Sequence, residues 1–218
     1  MPFGMTTDLA RADSQPISSR SSSSARSRGA TQRNFLERLK LETAAEHAMI
    51  ESATGLLDAG LDLEGYRIYL ERTFGFYLVV EQRLRQLEVW EALNLSGEER
   101  EKLPFLAEDV VLLGNLEPAS IRGCNVAPVF ESTAEAVGGA YVLEGSTLGG
   151  RVISRRIQAA LGPDVPRSFL ECYGASTGEK WQSFCGALSR FAASRELEDE
   201  VIEGASETFR SFTRWLQR

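Results

Sequence analysis

Apolar positions recur at three- and four-residue intervals along most of the chain, and no stretch alternates as a half-buried strand would. The pattern predicts a first helix from about Asn34 to Ser52, with Leu36, Leu39, Thr43 and Glu46/His47 on one face. Asp62 follows a Gly60 turn and is a good N-cap for a second helix, from Leu63 to Leu87. That helix carries Tyr66, Tyr69, Leu70, Phe74, Phe76, Tyr77, Val80 and Leu84, too broad an apolar surface for anything but a central position. Ser96-Gly97-Glu98-Glu99 reads as a capping box opening a short helix. Another short helix is expected from Pro104 to Leu113, then a loop from Glu117 to Pro128.

A long helix is expected from Phe130 to Ala160, stopped by Gly162-Pro163, and a short one from Arg167 to Tyr173. Thr177 is expected to cap a helix from Gly178 to Ala193. A last amphipathic helix, Leu197 to Leu216, carries Val201, Ala205, Phe209, Phe212 and Leu216 on one face. The expected fold is all-α: a single-domain bundle of seven or eight helices spanning 33–218. Residues 1–32 are Ser/Arg-rich and too poor in apolar groups to offset the entropy of ordering, so a disordered tail is expected there.

The Phe130–Ala160 helix holds an anomaly. Gly145, Gly149 and Gly150 fall within six residues of its middle. Each costs roughly 1 kcal/mol relative to alanine, so about 3 kcal/mol of unfavourable propensity needs a cause. Another helix must come close, a flat ligand must lie on the backbone, or the helix must bend.

Composition narrows the chemistry. The 218 residues carry a net charge of −7, with 43% hydrophobic residues and eleven Phe. The acidic balance argues against nucleic acid or an anionic membrane as partner. No apolar run approaches the roughly 20 residues of a membrane span, and the N-terminus lacks a signal core. Three unclustered cysteines, Cys124, Cys172 and Cys185, point to a reducing, cytoplasmic setting and away from a zinc site or disulfide scaffold. No G-x-G-x-x-G follows a strand, so electrons for any redox step must come from outside. His47 is the one histidine. Its neighbours on the same helical face are Thr43, Ala44, Ile50 and Glu51; the small residues before it would let a flat group lie against the helix, and Glu51 is one turn on. By spacing alone it is either a solvent-facing helical histidine or a metal ligand oriented by Glu51. A single imidazole on one helix and a bare backbone on another are what a porphyrin held between two helices requires.

Leu39-Lys40-Leu41-Glu42-Thr43-Ala44-Ala45-Glu46-His47 resembles the proximal-helix motif of heme oxygenases. Tyr141-Val142-Leu143-Glu144-Gly145-Ser146-Thr147-Leu148-Gly149-Gly150-Arg151 resembles their distal glycine motif, in the wording of the bacterial, biliverdin-producing, bacteriophytochrome-associated branch. Ala205-Ser206-Glu207-Thr208-Phe209-Arg210-Ser211-Phe212 is similar to the family's last core helix. The resemblance implies heme b as substrate and prosthetic group, between a proximal and a kinked distal helix. It implies oxidative opening to biliverdin with release of iron and carbon monoxide. Dioxygen is the co-substrate, a ferredoxin or flavoprotein reductase the electron donor, and a bacteriophytochrome a possible recipient of the bilin. His47 is then the iron ligand, with Ala44 and Glu51 beside it. Gly145, Ser146, Gly149 and Gly150 form the distal wall, and Lys40 and Arg210 are candidates for the heme propionates. Arg151, Arg155 and Arg156 form either a solvated face or a docking patch for the donor. Ser146 stands where animal-type members carry an aspartate that organises proton delivery, so that delivery must be built differently here. Two other readings remain: a non-catalytic heme-sequestering module, and a heme-free thiaminase- or quinone-biosynthesis-like member of the same architecture.

Overall fold

The computed structural model describes residues 35–114, 116–193 and 195–218, so the Ser/Arg-rich tail expected over 1–32 lies outside the described residues. Among the described residues there are eight α-helices and no strand. They are α1 (residues 35–42), α2 (Ala44–Ala53), α3 (Leu63–Gln86), α4 (Val89–Ala92), α5 (Leu103–Gly114), α6 (Thr133–Leu161), α7 (Thr177–Phe191) and α8 (Arg195–Leu216). No helix of the described residues is long and apolar enough to cross a membrane.

The first helix is broken where one continuous element was expected. At Thr43 the backbone leaves helical geometry (φ −99°, ψ 5°). The amide and hydroxyl of Thr43 both donate to the Leu39 carbonyl, at 3.1 and 2.8 Å. This is the local competition that makes hydroxyl residues poor helix interiors. The chain therefore re-aims just before His47. Downstream, α3 starts as expected, with Asp62 accepting from the Gly65 amide at 2.8 Å. Its aromatics Tyr66, Phe74, Phe76 and Tyr77 are buried.

Among the described residues, helices α6 and α8 form the most extensive pairing. Two glycines bring their backbones together. A Cβ at Gly138 would come within 2.6 Å of the Ala205 nitrogen, and one at Gly204 within 2.6 Å of the Glu135 carbonyl carbon. The expected apolar face of α8 is fully buried: Val201, Ala205, Phe209, Phe212 and Leu216. α2 also packs on α8, and α3 touches both α6 and α8.

Two short helices turned out shorter than expected, and α7 starts differently. Ser96–Glu99 opens only a 3-10 turn, Glu98–Arg100, with no side-chain capping bond. Gly97 lies against the Trp90 ring, where a Cβ would sit 2.7 Å from Cδ1. The chain then turns extended at Glu101 and carries Arg100 and Lys102 into the interior. The Arg167–Tyr173 stretch holds one 3-10 turn, Phe169–Glu171, because the Asp109 carboxylate takes the Ser168 and Phe169 amides at 2.8 and 2.9 Å. Thr177 is the first residue of α7 and donates its hydroxyl back to the Gly174 carbonyl at 3.0 Å.

Candidate functional site

The three mid-helix glycines of α6 do not share one cause. Gly150 is buried, and a Cβ there would lie 3.1 Å from the Leu170 carbonyl carbon after overlapping its oxygen. It is a packing glycine. Gly145 and Gly149 are different: an added Cβ would meet only the Trp181 ring edge at 3.8 Å and the Ile153 methyl at 3.6 Å. Both distances are ordinary van der Waals contacts, so protein packing does not require glycine at either position. Gly149 is exposed, and beside it Leu148 and Val152 remain 48% and 67% exposed. About 2 kcal/mol of propensity is thus given up on an open, apolar helix face. α6 stays helical throughout, with the Ser146 and Thr147 hydroxyls donating to carbonyls three residues back, at 2.8 and 2.7 Å. Such back-bonding eases a bend.

His47 lies on an open face of α2 with Ala44 and Ala48, all three exposed. Its ring meets Phe209 of α8 edge-on, centroids 5.6 Å apart. Nδ1 is 3.8 Å from Glu51 Oε1, which leaves Nε2 free for a metal. An aromatic floor connects this helix to α6. Phe212, one turn beyond Phe209, stacks on Phe76 at 4.1 Å and meets Tyr77 edge-on at 6.3 Å. Tyr77 in turn lies 3.0 Å from Ser146 Oγ. Because the single Ser146 proton is donated to the Leu143 carbonyl, Tyr77 is the donor in that pair. Burial pushes the Tyr77 phenol well above its usual range, which keeps it protonated as a donor.

Behind α6 lies a cluster that sequence reading did not find. Glu144 is 1% exposed and is gripped by Arg100 and by Lys102 Nζ at 2.5 Å, while the Tyr173 hydroxyl donates to it at 2.7 Å. Lys102, also 1% exposed, reaches Tyr173 Oη at 2.9 Å. Glu81 accepts the Lys102 amide at 2.8 Å through one oxygen, and its other oxygen has no partner. Burial raises the Glu81 pKa. The sequence carried no signal for it, because the burial of Arg100 and Lys102 is set by partners on other elements.

The propionate candidates differ. Lys40 is exposed and, among the described residues, has no ion-pair partner. Arg210 is held by Glu203 at 2.6 Å, Glu207 at 3.1 Å and Glu46 at 3.8 Å. Arg151 and Arg155 are exposed, and Arg156 donates to the Leu57 carbonyl at 2.7 Å. No group of three or more His, Cys, Asp or Glu capable of holding a bare metal ion occurs among the described residues.

An exposed imidazole beside alanines, and a bare backbone on a second helix over the same aromatic floor, fit a flat, apolar, metal-centred ligand. The residues present therefore suit a metalloporphyrin. Comparison with known proteins agrees. A family model described as heme oxygenase matches residues 33–218, and the chain belongs to the heme oxygenase family. It is an enzyme that degrades heme to biliverdin, with release of iron and carbon monoxide. A heme oxygenase from Neisseria meningitidis, solved with NO and CO bound, is similar at 24% identity and a TM-score of 0.68, covering 84% of this chain and 90% of that one. One from Leptospira interrogans is similar at 17% identity and a TM-score of 0.69, covering 84% and 98%. At these identities the likeness shows the shared helical fold. No curated protein sequence matches the chain.

Proposed function

We propose that heme lies against the α2 face at His47 and under the α6 face at Gly145 and Gly149. The observation that carries this reading is the pair of glycines whose bare backbone no protein atom explains. Bound heme is the substrate and supplies the iron at which dioxygen is reduced. The protein's residues do the rest. His47 Nε2 would hold the iron, with the Glu51 carboxylate 3.8 Å from Nδ1 to bias the ring. Ala44 and Ala48 let the macrocycle lie close, and Phe209 supports the imidazole edge.

The Gly145–Gly149 backbone excludes bulk water from the opposite side. Tyr77 and Ser146 supply a hydroxyl pair at that wall in place of a carboxylate. Ser146 can turn its hydroxyl from the Leu143 carbonyl toward the site as a hydrogen-bond donor, while Tyr77 keeps its proton and anchors the Ser146 oxygen from below. Lys40 is the better propionate partner, since the Arg210 charge is already offset by three glutamates.

Electrons come from an external donor, a ferredoxin or flavoprotein reductase, which docks by an acidic surface on Arg151, Arg155 and Arg156. In a reducing cytoplasm the product is suited to serve as bilin chromophore for a bacteriophytochrome. Addition of hemin, then reductant under air, tests the reading. Biliverdin absorbance is the expected result; a ferrous complex that persists under air would favour the sequestering module.

A further inference from the structure

The side of α6 turned away from the open glycines carries a buried stripe, Glu144, Thr147, Gly150 and Ser154, at helical spacing. One short stretch of chain, residues 166–173, fastens three of its four members. Tyr173 Oη donates to Glu144 at 2.7 Å. The Leu170 backbone fills the space beside Gly150. Ser154 donates to Glu171 and accepts from Arg167 Nε at 3.1 Å.

The stretch is itself held from elsewhere. Tyr66 Oη donates to the Pro166 carbonyl at 2.9 Å, and Asp109 takes the Ser168 and Phe169 amides. At its end the Tyr173 ring lies under the ammonium groups of Lys102 and Lys180, at 5.0 and 5.1 Å. Glycines at 145 and 149 weaken the helix where the substrate is to rest. A strap on the opposite side restores the stiffness that the missing side chains would have provided.

We propose that the 166–173 strap, working through Tyr173 and the buried Glu144, sets the rotation of the Gly145–Val152 turns about the α6 axis. That rotation fixes how the bare backbone faces the substrate. Tyr173 and Glu144 are positioning residues and touch no reacting atom. The proposal rests on the placement of heme against Gly145 and Gly149.

Tyr173→Phe is the sharpest test, because it keeps the ring beside the two ammonium groups and removes only the hydroxyl, with its bonds to Glu144 and Lys102. In the heme-free protein, amide hydrogen exchange over residues 145–152 is expected to quicken about ten-fold, with α8 unchanged. After heme loading, affinity is expected to hold within about three-fold while the ratio of biliverdin isomers shifts. Glu171→Gln, which loosens the Ser154 fastening, should quicken exchange mainly at 151–157. Unchanged exchange in both variants, or faster exchange across α6 and α8 together with an unchanged isomer ratio, would overturn the proposal. The exchange measurement needs no heme, so failure of the wild-type protein to bind heme would count against the functional reading alone.

Discussion

Alanine substitution of the three mid-helix glycines of α6, Gly145, Gly149 and Gly150, separates their two causes. At Gly149 the new methyl meets only the Ile153 side chain of the same helix, at 3.6 Å. Gly149→Ala is therefore expected to stabilise the heme-free protein by about 1 kcal/mol, the mid-helix propensity difference. For a domain of this size that is about 2–4 °C in melting temperature. Gly145→Ala should behave alike, its methyl resting 3.8 Å from Trp181. At Gly150 the same methyl overlaps the Leu170 carbonyl, part of a backbone held by Asp109 and unable to retreat freely. There the expected change is a loss of about 1–3 kcal/mol from overpacking. Heme affinity orders the variants the other way. The open-face alanines, though more stable, push the macrocycle off the backbone and weaken binding; about ten-fold corresponds to 1.4 kcal/mol of lost contact. Urea denaturation of the heme-free proteins and a heme titration give both numbers. If Gly149→Ala destabilised the heme-free protein, or left heme affinity and product unchanged, the assignment of that face to the substrate would fail.

Other consequences follow from single residues. Burial raises the Glu81 pKa in the folded protein, with Lys102 and Glu101 as the charged neighbours. A raised carboxyl contributes stability at pH below its unfolded value and loses it as pH rises through the folded one. Glu81→Gln, which keeps an oxygen for the Lys102 amide, should gain on wild type in melting temperature from the ordinary carboxylate range upward; a constant difference across pH refutes this. Asp62→Ala removes the α3 cap and should cost about 1 kcal/mol by denaturant titration. Arg151→Glu with Arg155→Glu should raise KM for a protein electron donor about ten-fold at low salt and leave turnover with a small reductant unchanged.

Much of the fold was legible because its determinants are local. The α3 cap at Asp62 and the α8 face from Val201 to Leu216 are short-range patterns, and each appears as the spacing implies. The Thr43 break was hidden, since a threonine on an apolar helical face gives no sign that its hydroxyl will take over the Leu39 carbonyl. The glycine motif was legible as an anomaly but not in its parts. Gly150 answers to Leu170, twenty residues away, and Gly138 and Gly204 make the α6–α8 crossing from positions far apart in the chain. The Glu144 hub was invisible for the same reason. Its partners Arg100, Lys102 and Tyr173 come from other elements, and each alone looks like a surface residue. Arg210 shows the converse: a cation in a suggestive motif proves to be surrounded by glutamates.

The proposed site pairs His47, as the iron ligand, with the open glycine face of α6. Its most direct test is an absorption titration of the heme-free protein with hemin, wild type against His47→Ala. Wild type should saturate at one heme per chain with the Soret band of an imidazole-ligated heme. His47→Ala should lose that band and regain it when free imidazole is added. A His47→Ala protein that binds heme with the wild-type spectrum, needing no imidazole, would contradict the central claim.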